Sequence, residues 1–160
     1  MTPKDLAISQ LRGVEFLFDS FLKDMNDKDT RFQPCKDGLH IDWMLMHLAS
    51  SADGMIAGIS GQPKQFPAEI AQRYAGGSPC KADDPITRAD ALRHFQTQLK
   101  RSIDFVATFP ESKYDDPAPQ GMPPQFPNVG SVIGLLAAHP YWHFGQLTVN
   151  RRMLGKPKIF

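Results

Sequence analysis

His139 and His143 stand four residues apart in the segment His139-Pro140-Tyr141-Trp142-His143-Phe144-Gly145-Gln146-Leu147, and His47 lies far upstream in Trp43-Met44-Leu45-Met46-His47-Leu48. On a helix, an i,i+4 pair places its side chains one above the other on one face. Neutral imidazole is a common ligand for zinc, nickel, copper and iron. Two rings from one helix and a third from a facing helix can therefore converge on one ion. Three protein nitrogens leave a coordination position open, as in catalytic rather than closed structural sites. The spacing alone is a weak signal, because five histidines in 160 residues produce such a pair by chance fairly often. A lone core-facing histidine is also more often hydrogen-bonded than metal-bound. The setting strengthens the reading: three of the five histidines fall in apolar, helix-like segments.

His40 is an alternative third ligand. It precedes His47 by seven residues, roughly 10 Å along a helix, so the two are not expected on one ion. His94 falls beside an apolar stripe and is expected to be exposed. Cys35 and Cys80 have no motif around them and read as free thiols in a reducing compartment. Several other chemistries are disfavoured. Bundles with carboxylate-bridged metal pairs need four glutamates and Glu-x-x-His motifs, whereas only Glu15, Glu69 and Glu111 occur here. Zinc proteases place Glu directly after the first histidine, and Pro140 takes that position. No glycine-rich dinucleotide fingerprint or P-loop motif is present.

The elements that must carry these histidines are outlined by proline, which is disfavoured inside helices. The 14 prolines leave four proline-poor windows separated by proline-rich connections around 62–85 and 110–130. Ala7, Leu11, Val14, Phe18, Phe21 and Met25 recur at helical spacing in the first window. Ile41, Leu45, Leu48, Ala52, Met55 and Ile59 do so in the second, and Leu92, Phe95, Leu99, Ile103, Val106 and Phe109 in the third. Beside the second stripe runs His40, Met44, His47, Ser51, Gly54, Gly58, which thins to small residues and leaves space beside the His47 ring. The fourth window reads Val132, Leu136, His139, His143, Gln146, Asn150, Met153, with four polar residues on the expected core face. Buried polar groups need partners, so this stripe points to a lined cavity, a metal, or both.

Boundary signals agree with these windows. Asp84-Pro85 suits an N-cap followed by proline, with a Thr87–Asp90 capping box one turn later. Ser131 suits the cap of the fourth helix, and Gly61 and Gly155 suit helix stops. A short extra helix is expected around Pro67–Tyr74. Pro140 removes a backbone hydrogen bond from the metal-bearing helix and is expected to kink it, which would redirect His139. The whole implies one all-α domain over residues 1–160, a four-helix bundle with long proline-rich connections.

A net charge of +1 gives no reason to expect nucleic acid or an anionic membrane as partner. The basic residues Arg151, Arg152, Lys156 and Lys158 read as cations complementing a helix C-terminus. Neither a signal-peptide stretch nor a run of roughly 20 apolar residues occurs, and a cytoplasmic location is expected.

The two motifs together, His47 followed by Leu-Ala and His-x-x-x-His-x-Gly-Gln at 139–146, resemble the DinB-like superfamily over nearly the whole chain. The resemblance implies a four-helix bundle, commonly dimeric, holding a divalent transition metal, nickel or zinc foremost, on His47, His139 and His143. It also implies a metal-dependent enzyme in which the ion activates a low-molecular-weight thiol or water toward a small-molecule substrate, as a thiol S-transferase or hydrolase. The alternative is a non-catalytic metal- or ligand-binding stress-response module. Gln146 is then a candidate for orienting a ligand, and Trp43 and Met44 are candidates for the pocket wall or for plain core. No residue is singled out as catalytic acid or base.

Overall fold

The structure, a computed structural model, describes residues 1–159. Four long helices form it: α1 (Pro3–Leu22), α3 (Ile41–Ser60), α5 (Arg88–Thr108) and α6 (Val129–Met153). Two short ones, α2 (Asp27–Thr30) and α4 (Ala68–Arg73), lie in the connections. No β-strand occurs among the described residues, and no helix is long and apolar enough to cross a membrane.

The helices form where their apolar stripes and caps require. In α1, Thr2 and Asp5 make a reciprocal capping box, Pro3 opens the first turn, and Ala7, Leu11, Val14, Phe18 and Phe21 are buried. The α3 helix stops at Gly61, which takes the left-handed conformation at φ 70°, a region open to glycine at no steric cost. Of the two start signals in the sequence before α5, Thr87 is the cap, its hydroxyl accepting from Asp90 N–H, while Asp84 accepts from the Ile86 N–H and the Tyr74 hydroxyl. The cap of α6 differs from expectation: it is Asn128, with Ser131 as its reciprocal partner three residues on. Asn128 is the residue with extended backbone, so its side-chain oxygen is the one aimed at the free N–H groups of the first turn.

Around the bundle the order is α1, α5, α3, α6: α1 packs on α5 and α6, and α3 packs on the same two. The chain therefore crosses the bundle end between α1 and α3, and again between α5 and α6. The second crossover, 109–128, is closed at its base by the Pro117–Asn128 bridge and by Val129 N–H donating to Asp116 O at 2.9 Å. The still longer 61–87 connection joins neighbouring helices and needs no such length for topology.

Burial in α3 departs from a simple stripe. Every residue from Ile41 to Ser50 is buried, so this half of the helix is enclosed on all sides. In α6 the buried set is Val129, Val132, Ile133, Leu136, Ala137, Pro140, Leu147, Asn150 and Arg151. Gln146 and Met153 are exposed while Asn150 between them is buried, so the expected stripe coincides only in part with the core face in the C-terminal half of α6.

Candidate metal centre

The structure brings His47 of α3 together with His139 and His143 of α6. The three ring centroids form a near-equilateral triangle with sides of 5.0, 4.9 and 4.9 Å. His139 Nε2 lies 3.3 Å from His47 Nε2 and 3.2 Å from His143 Nε2. Pro140 does not break α6 or carry His139 away; it is buried, and the helix runs through it.

Each outer ring is held from behind. His47 Nδ1 donates to the Tyr74 carbonyl at 2.7 Å, and His143 Nδ1 donates to Gln146 Oε1 at 2.7 Å. Both partners are carbonyl oxygens, which only accept, so each Nδ1 carries the proton and each Nε2 presents a lone pair to the centre. The single Nε2 proton that His139 can offer satisfies at most one of them. The cluster is thus left with a bare acceptor facing other ring nitrogens, which a cation resolves and protein hydrogen bonding does not. The spacing agrees: nitrogens at ~2.0–2.1 Å from a tetrahedral zinc ion lie ~3.3–3.4 Å apart. Among the described residues, no carboxylate or thiol joins the three histidines. The donor set fits a divalent transition metal.

Burial keeps the rings in the neutral, ligating form. Desolvation, and then the proximity of His143 and His47, holds His139 down at about 4. His143 is likewise at about 4, lowered by desolvation and His47 against the opposing pull of Gln146. His47 is lowered by desolvation, opposed by its bond to the Tyr74 carbonyl.

Of the three histidines, His139 borders a groove of 1410 Å³. Its floor includes Ser51, Gly54 and Gly58 of α3, its far wall is the 119–126 loop, and His139 and Trp142 stand at its edge. Gly58 permits the loop's approach, since a Cβ there would lie 3.1 Å from Pro119. The small residues that follow His47 in α3 do leave space beside the triad.

The other residues singled out in the sequence fall as follows. Trp43 is buried and stacks on the His47 ring at 5.1 Å with planes 10° apart. Met44 is buried in the hydrophobic core, and neither residue lines the groove. His40 is not with the triad: it caps α3, its Nδ1 accepting from Trp43 N–H at 3.0 Å. His94 is half-buried, not exposed, because its ring packs beside Phe66 at 5.2 Å. Asn150, the fourth polar residue of the stripe, has a separate task. Its Nδ2 donates to Phe32 O and Leu39 O at 3.3 and 3.0 Å and fastens the α1–α3 connection. Arg151 is buried and pairs with Asp24 rather than with a helix end. Tyr74 is not legible in the sequence as a site residue, since the atom that matters is its backbone carbonyl.

A four-helix bundle with three histidines shared between its second and last long helices now has a class. The family model of the DinB superfamily matches residues 10–147, and the chain belongs to that superfamily. Among solved structures, the fold is similar to one described as the crystal structure of the conserved protein of locus from Enterococcus faecalis. The TM-score is 0.76 at 15% identity, covering 98% of this chain and 99% of that chain. This is a likeness of fold. No curated protein matches the sequence.

Proposed function

We propose that this protein is a metal-dependent enzyme that uses His47, His139 and His143 to hold a divalent transition ion, nickel or zinc, and acts on a small molecule bound in the adjoining groove. The observation that carries the reading is the convergence of three neutral ring nitrogens, two of fixed tautomer, at the edge of that groove. Such an ion lowers the pKa of a bound thiol or water towards neutrality and so supplies a nucleophile. The protein's own part is positional. Tyr74 and Gln146 hold two ligand rings in one tautomer, Trp43 stacks behind His47, and Trp142 flanks the entrance.

We favour thiol transfer over hydrolysis. Among the described residues the groove is lined by no carboxylate, and its ionisable side chains are His139, already in the triad, and Lys64. A thiol, with a pKa of ~8.5, is a far stronger acid than water, so the same cation delivers it as the anion more readily and without a general base. A low-molecular-weight thiol is therefore the preferred co-substrate.

The test is titration of tag-free, chelator-stripped protein with Ni²⁺ and Zn²⁺ followed by calorimetry. About one equivalent is expected to bind, with loss in His47→Ala; uptake below ~0.1 equivalent would remove the metal from the reading. On the cobalt-loaded protein, dithiothreitol is expected to change the visible absorption. An unchanged spectrum would argue against a thiol co-substrate.

A further inference from the structure

The 61–87 connection joins two adjacent helices, so topology does not explain its length. Its centre does one specific thing: it delivers the Tyr74 carbonyl to His47 Nδ1 at 2.7 Å. Tyr74 is 1% exposed, among the largest fully buried side chains in the protein. Its hydroxyl donates to Asp84 Oδ1 at 2.7 Å, and the same oxygen accepts from Ile86 N–H at 2.9 Å. The ring also meets the edge of Trp43 at 6.3 Å, and Trp43 lies flat on His47. Two residues further on, Gly76 passes so close that a Cβ there would lie 3.9 Å from His47 Cε1. His47 is thus enclosed by one folded arm, and that arm is closed on itself by the Tyr74–Asp84 bond.

We propose that the Tyr74–Asp84 hydrogen bond is a positioning device for the metal centre, fixing the backbone carbonyl that sets the tautomer and direction of His47. The inference rests on the triad being a metal site. A backbone acceptor cannot be deleted by substitution, so evolution or an experimenter can tune it only through the side chain that anchors it. Outer partners of a ligating histidine commonly govern affinity by 10–100-fold. One step further out, about a 5- to 10-fold effect is expected.

The experiment compares Co²⁺ affinity and the cobalt absorption spectrum in wild type, Tyr74→Phe, Asp84→Ala and Asp84→Asn. Thr30→Val, which removes a buried hydrogen bond to Asp42, serves as a control destabilised away from the arm. Failure of the wild type to bind cobalt would defeat the underlying metal reading, an outcome separable from any difference among the variants. With binding established, Tyr74→Phe and Asp84→Ala are expected to weaken it about 5- to 10-fold and shift the spectrum. Asp84→Asn keeps an acceptor oxygen and is expected to retain wild-type affinity and spectrum. Wild-type affinity in both Tyr74→Phe and Asp84→Ala would overturn the proposal, as would an equal loss in Thr30→Val. Asp84→Ala leaves the Tyr74 ring in the core, so the test survives if Tyr74→Phe folds poorly.

Discussion

Two sets of polar residues sit on α6, about two turns apart, and are finished in opposite ways. Asn150 and Arg151 are buried with their donors met: Asn150 by two carbonyls, and Arg151 by Phe21 O, Pro157 O and both oxygens of Asp24. His139 and His143 instead turn their free nitrogens towards each other and towards His47. The first set is closed by the protein alone and holds the connections to the bundle. The second is left open, with lone pairs meeting lone pairs, an arrangement that makes sense around a cation. Saturation, more than burial or polarity, separates a structural polar group from a binding one.

That contrast can be broken experimentally. The largest effect is expected for His139→Ala, which should lower metal affinity by at least about a thousandfold because a ligand is gone. The metal-free protein should be about as stable as wild type; a severe loss of stability would make the triad a fold-holding cluster after all. Arg151→Met should do the reverse. Denaturant unfolding should show a loss of about 3 kcal/mol, since several buried acceptors lose their donor, with metal stoichiometry unchanged. Asn150→Ala should cost about 1–2 kcal/mol by the same assay. The mildest test is pH. His139 and His143 are held near 4 in the folded protein against an ordinary 6.5. Below 6.5 the unfolded chain therefore binds protons that the folded one refuses. Their contribution is present above pH 6.5 and lost as pH falls towards 4. Asp42, pushed up to about 6 by burial, acts in the opposite sense. The informative curve is wild type minus His143→Asn, measured in chelator: flat above 6.5 and falling below it.

Much of the bundle is legible in the sequence because caps and apolar spacing are local. The stripe of α1, the stop at Gly61 and the short helix at 68–73 need no knowledge of tertiary structure. The histidine triad is legible as a motif, by spacing and by resemblance. What escapes is set at long range. Tyr74 acts through a backbone atom 27 residues from its partner, and no side-chain pattern announces a carbonyl. Asn150 looks like part of the site because it shares the stripe with the histidines, yet its acceptors lie in another connection. His40 looks like a ligand by residue type, and only the helix boundary reveals it as a cap.

His139 and His143 are neighbours on one helix, whereas His47 is separated from His139 by 92 residues. An unfolded chain offers a passing ion two rings at best in proximity; only the assembled bundle offers three. Any ion that prefers three rings becomes, by mass action, a reporter of assembly. At a free concentration one hundred times its dissociation constant it would add about 2.7 kcal/mol to unfolding, and a chelator would take that back. The melting temperature would then depend on the supply of a trace element as well as on the chain.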